Sequence, residues 1–110
     1  MITADKTTIN LKEYVINQTK LANDFFDLVF SKETLEEISN GLEISSKNGD
    51  SSYQRKIIFT KNSELNLSYF FKKIKEYFFE YGYKDIIIYY YSETMLVLTI
   101  IFNYPDNYLV

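Results

Sequence analysis

Carboxylates are the reactive groups this chain supplies in closest array. Asp24 and Asp27 stand three residues apart, and Glu33, Glu36 and Glu37 cluster just beyond them. Two carboxylates at such spacing could hold Mg²⁺ or share a proton. Dedicated sites, however, draw their ligands from several elements, and acids early in a short helix suit its dipole. Solvated helix faces are the preferred reading. At most the five acids form a contact patch that meets a basic partner and speeds association.

Other chemistry is thinner still. Asn48-Gly49-Asp50 lacks the alternating acids and closing Glu of a calcium loop and reads as a turn, and Gly41, Gly49 and Gly82 lie too far apart to cradle a phosphate. Asn17-Gln18-Thr19 and Asn66-Leu67-Ser68 match glycosylation sequons, which carry no meaning in a protein made in the cytoplasm. There is no His and no Cys. The usual general base near neutral pH is therefore missing, together with thiol nucleophiles, disulfides and thiolate metal sites. Arg55 is the sole guanidinium, so no multi-arginine phosphate clamp can form. Neither a metal nor a cofactor is expected, and a non-enzymatic role is favoured.

Nucleic-acid binding has a faint signal. Lys72, Lys73 and Lys75 fall within one turn, Arg55, Lys56 and Lys61 bracket a strand, and tyrosines are plentiful, as in a stacking platform ringed by cations. A net charge of −3 opposes phosphate attraction, and the lysines fan around their helix with Glu76 and Glu80 close by. Weak single-strand binding stands only as an alternative.

The elements that position these residues follow from length and periodicity. The chain has 110 residues, one Pro and three Gly, which fits one domain without a linker, 1–110. Its start lacks a signal peptide, and Ile86–Tyr91 and Met95–Leu98 are far shorter than the roughly 20 residues of a membrane span. A soluble cytoplasmic protein is expected, with no membrane partner. Phe, Tyr, Met, Ile, Asn and Lys, with AT-rich codons, make up half the chain, which suggests a low-GC genome, its mobile elements or a virus.

Apolar residues at three- and four-residue steps predict a helix over Ile9–Phe30, capped by Thr8, with a strand over Phe25–Phe30 as the rival for its end. Ser31 caps a short helix, Lys32–Ser39, which stops at Asn40-Gly41. Strands are expected at Leu42–Ser46 and Tyr53–Thr60, joined by a turn. Asn62-Ser63 caps a third helix whose stripe runs Leu67, Phe70, Phe71, Ile74, Tyr77, Phe78, Tyr81, ended by Gly82. Strands at Lys84–Tyr91 and Met95–Asn103 close the chain before Pro105. The expected fold is α+β, order α-α-β-β-α-β-β, with helices packed on a mostly antiparallel four-stranded sheet.

The last hairpin asks for a partner. A sheet covered on one face alternates apolar with polar, yet both sides of these strands are apolar. A three-residue turn places Ile87, Tyr89, Tyr91, Met95, Val97, Thr99 and Ile101 together, away from Leu96, Leu98 and Ile100. Three coverings suit that second face: the chain's own helices in a sandwich, a second copy, or a foreign protein. Tyr and Met favour interfaces. The expected function is a small protein-binding module acting on a larger target through Ile87, Tyr89, Tyr91, Met95, Val97 and Ile101. A stoichiometric inhibitor from a phage or mobile element, an anti-defence (anti-CRISPR-like) product, is the first version. A toxin-immunity protein and a self-associating structural protein are the alternatives.

Overall fold

The structure is a computed structural model that describes residues 3–102, with side chains described from residue 10 onward. Its elements run α1 (Thr3–Val29), α2 (Lys32–Lys47), β1 (Ser52–Ile58), α3 (Leu67–Glu80), β2 (Asp85–Ser92) and β3 (Met95–Ile101). The class is α+β, as the periodicities predict. Among the described residues the sheet has three strands, not four, all antiparallel in the order β1-β3-β2.

The missing strand is the second half of α2. Leu42–Ser46, expected as a strand, continues the helix to Lys47. Leu35, Ile38 and Leu42 keep a helical spacing straight through Asn40-Gly41, and Ile38 and Leu42 are buried by it. Gly41 therefore does not end the helix. It lets the ring of Tyr53 on β1 lie against the helix backbone, where a Cβ would overlap the ring. A Gly inside a helix costs roughly 1 kcal/mol against Ala, and this close approach offsets it. The stop expected at Gly41 falls instead at Gly49, whose φ of +82° suits glycine. There the Asp50 N–H donates to the Ser45 carbonyl at 2.9 Å and the Gly49 N–H to Ser46 at 3.1 Å, a Schellman closure.

α3 ends in the same way, with Gly82 at φ +92° and the Tyr83 N–H donating to the Phe78 carbonyl at 3.0 Å. Its N-cap is Asn66, whose side chain accepts from the Ser68 N–H, and not Asn62-Ser63. Asn62 instead closes the preceding turn by accepting from the Glu64 N–H at 3.0 Å. Ser31 caps α2 as expected, accepting from the Thr34 N–H.

α1 starts earlier than the periodicity indicates, so Thr8 lies inside it, and Phe25–Val29 is helix rather than strand. Its core-facing residues are Gln18, Ala22, Phe25 and Phe26, with Phe30 just past its end. Leu28, three residues beyond Phe25, is 74 % exposed. Leu11, Tyr14 and Val15 continue the stripe one to two turns beyond the core and are exposed as well.

The core gathers Phe25, Phe26, Phe30, Phe59, Phe70, Ile74 and Phe78 from helices and loops over Ile57, Leu96, Leu98 and Ile100 from the sheet. Ile38 and Leu42 of α2 join the same cluster, so all three helices contribute to the same side of the sheet. The expected end of the last strand at Asn103 and the breaker Pro105 lie outside the described residues.

Candidate protein-docking surface

Register decides which side chains share each face. β3 is the central strand, with Leu98 opposite Arg55 on β1 and Ile88 on β2. The core-facing rows are Ile57–Leu96–Tyr90, Arg55–Leu98–Ile88 and Tyr53–Ile100–Ile86. The opposite face carries Lys56–Val97–Tyr89 and Gln54–Thr99–Ile87, with Ile58 beside Met95 and with Ile101 between Ser52 and Asp85.

The β2–β3 turn reaches this parity by an unexpected route. Ser92 pairs with Met95 around a two-residue turn, and a β-bulge follows between Tyr90 and Ser92. One bulged residue plus a two-residue turn shifts the register as far as a three-residue turn does. The set Ile87, Tyr89, Tyr91, Met95, Val97, Thr99 and Ile101 is therefore brought together on the face turned away from the core.

No described helix covers that face, so a sandwich formed by the chain's own described helices is not what the fold provides. Ile87 is 53 % exposed, Tyr89 62 %, Tyr91 65 % and Ile58 76 %. Met95, Val97 and Ile101 are half-buried between the flanking strands. Tyr89 and Tyr91 sit side by side, ring centroids 6.4 Å apart. Polar groups are confined to Lys56, the Gln54–Thr99 contact (Nε2 to Oγ1, 3.4 Å), and Ser52 and Asp85 at one end. Ile58 joins this face although it lies outside the hairpin. The alternation Tyr53, Arg55, Ile57 toward the core places it outward and is the signal that finds it.

The five acidic residues are spread over two helices, Asp24 and Asp27 on α1 and the three glutamates on α2. Asp24, Asp27, Glu33, Glu36 and Glu37 are all exposed. Glu37 is already engaged, its Oε1 accepting from Arg55 Nη2 at 2.7 Å. Asp27 and Glu36 share the rim of a groove of about 710 Å³, floored by Phe30, Ile38, Leu42 and Phe78. Among the described residues no three acids come together in a way that could hold a metal ion.

The basic residues are equally dispersed. Lys72, Lys73 and Lys75 belong to α3, on the opposite side of the sheet from Tyr89 and Tyr91, and Lys73 lies 5.6 Å from the Phe26 ring centre. Arg55 points to the core side and ties β1 to α2. Its pKa is raised, first by the side chain of neighbouring Tyr53 and then by Glu37, against the opposing effect of burial. Lys61 pairs with Glu93 at 3.2 Å. Among the described residues no ring of cations surrounds the tyrosine face.

Beside the 710 Å³ groove, the Tyr77 hydroxyl is pushed up to about 12, first by burial and then by its hydrogen bond with Tyr81. A raised folded-state pKa means the unfolded chain ionises first, near pH 10. Its contribution is thus complete below pH 10 and is lost as the pH rises toward 12. The expected result is a thermal midpoint that falls between pH 10 and 12, with a shallower fall in Tyr77→Phe. Equal slopes for the two proteins would refute the assignment.

No described helix is long and apolar enough to cross a membrane. No protein-family model matches the chain, and no curated protein or solved structure shows significant similarity to it.

Proposed function

We propose that the chain is a non-enzymatic binding module that docks a protein partner on the open face of its sheet. The observation that carries this reading is the apolar run Ile87, Tyr89, Tyr91, Met95, Val97, Ile101, extended by Ile58, on a face no described helix covers. A contiguous apolar patch of several hundred Å² is uncommon on a monomer without a partner. Tyr and Met are residue types that suit interface cores. Lys56 and Asp85 at its border supply the polar rim such a contact needs. The residue types absent from the chain, His and Cys above all, favour binding over catalysis.

Within this reading the chain is a stoichiometric inhibitor encoded by a phage or mobile element, which captures a larger host protein. The support is compositional: small size and AT-rich coding suit such accessory genes. The separation of the α3 lysines from the tyrosine face weighs against the single-strand nucleic-acid alternative.

The test is parallel affinity capture from the source cells with the wild type and with Tyr89→Ser/Tyr91→Ser. The double variant should lose a stoichiometric partner while its unfolding free energy falls by no more than about 1 kcal/mol, the scale of exposed strand substitutions. Ile58→Lys, two strands away, should weaken the same capture. Unchanged capture by all variants, or a collapse of the double variant's stability, would defeat the proposal.

A further inference from the structure

We infer that the free edge of β2 pairs with the β2 edge of a second copy, joining two sheets into one of six strands about a two-fold axis at Ile88. The backbone sets the first condition. The Phe59 N–H donates to the Thr94 carbonyl and the Phe102 N–H to Ser51, so even-numbered β3 residues bond toward β1. Odd-numbered residues Val97, Thr99 and Ile101 then bond toward their partners Tyr89, Ile87 and Asp85. That leaves the N–H and C=O groups of Ile86, Ile88 and Tyr90 directed outward, away from the sheet. An antiparallel pair centred on Ile88 sets Ile88 against Ile88 and Ile86 against Tyr90 in both directions. Each outward group meets an outward group, and core-facing residues stay opposite core-facing residues.

Side chains set the second condition. The same axis places Ile87 opposite Tyr89, an aromatic against a β-branched residue, which is a favourable cross-strand pair. At the ends Lys84 meets Ser92 beside Glu93, and Asp85 meets Tyr91, so no like charges oppose each other. Shifting the axis to Tyr89 would set Asp85 against Glu93, a like-charge pair. Proteins blunt exposed edges with charge, Pro or bulges. β1 follows that rule, with Arg55 and Lys56 in mid-strand and α2 packed against it. β2 has neither charge nor Pro between Ile86 and Ser92, and its bulge lies only at the turn.

Area sets the strength. Tyr89, Tyr90 and Tyr91 are 62 %, 46 % and 65 % exposed, and an aromatic residue can bury roughly 200 Å². Two copies together offer on the order of 1,000 Å² with the isoleucines and backbone included, near the lower limit of a specific interface. A contact of that size belongs with weak, reversible associations.

Sedimentation of the purified chain across about 1 to 300 μM is expected to show a reversible monomer–dimer equilibrium. Ile88→Pro removes an outward N–H, a loss that an edge strand tolerates, at some cost in core packing since Ile88 lies against the core. It should shift the midpoint at least tenfold while the monomer stays folded by circular dichroism. Register is read separately by cysteine pairing, since the chain has no Cys of its own. Ile87→Cys mixed with Tyr89→Cys should cross-link on oxidation, their Cα atoms about 4.5 Å apart, and either alone should cross-link far less. A monomer at every concentration, a dimer indifferent to Ile88→Pro, or no preference for the mixed pair would overturn the inference. Ile58→Lys, remote from the edge, leaves the dimer intact while weakening capture of a foreign partner, so the two proposals fail separately.

Discussion

Phe70→Ala is expected to remove about 3–5 kcal/mol of unfolding free energy, a large share of the roughly 5–15 kcal/mol that holds a domain folded. Phe70 has no exposed surface. Its ring meets Phe25 edge-on at 4.8 Å, Phe59 at 5.8 Å, Phe71 at 6.1 Å and Phe30 at 6.3 Å. Truncation forfeits both the transfer energy and those contacts, and rings from α1, α3 and the β1–α3 loop cannot all relax into the hole. Phe79→Ala on the same helix is the comparison: Phe79 is 61 % exposed and should cost under about 0.5 kcal/mol. Urea unfolding of the two variants checks the contrast, and similar midpoints would contradict the packing described.

Gln18→Leu should cost about 2 kcal/mol although it adds apolar surface. Gln18 is the one buried polar residue among those described, 6 % exposed. Its Oε1 accepts from the Asn66 N–H at 2.7 Å and its Nε2 donates to the Glu64 carbonyl at 2.9 Å. Leucine would leave both backbone groups without their partner, at about 1–3 kcal/mol for a buried group, less where water can reach it. The loss also frees the loop that presents the Asn66 cap of α3. Faster hydrogen exchange at the Asn66 amide should accompany the fall in thermal midpoint. Unchanged stability would mean the two groups find other partners.

Gln18 shows how far the sequence can be read. Its position in an apolar stripe marks it as core-facing, yet its partners lie more than forty residues away, and no local pattern announces them. α3 is legible because its stripe and its Gly82 stop agree, although its start falls at Asn66 and not at Asn62-Ser63. α2 is not, because Asn40-Gly41 has the composition of a helix end. What overrides that signal is tertiary: the Tyr53 ring takes the space a side chain at position 41 would fill. Reading Gly41 as a helix stop is what yields a fourth strand; with Gly41 inside α2 the described sheet has three.

The outward set on the hairpin is legible from alternation alone once turn parity is fixed. The bulge and turn that fix it, and the absence of a described helix over the face, depend on where the chain goes in space. The acidic cluster illustrates the opposite limit. Proximity in sequence groups the five acids, yet nothing local announces that Glu37 pairs with Arg55 on β1.

The strand order β1-β3-β2 bears on how the molecule assembles. β2 and β3 meet through a tight turn, with α3 just upstream, so these pieces can associate early. β1 reaches β3 only by closing the whole stretch between Ile58 and Met95, and that closure carries an entropic cost before any contact rewards it. In chain order α1, α2 and β1 leave the ribosome before β3, the strand that both edges need. Until then the N-terminal half has no sheet to cover, and Phe25, Phe26 and Phe30 stay within reach of chaperones.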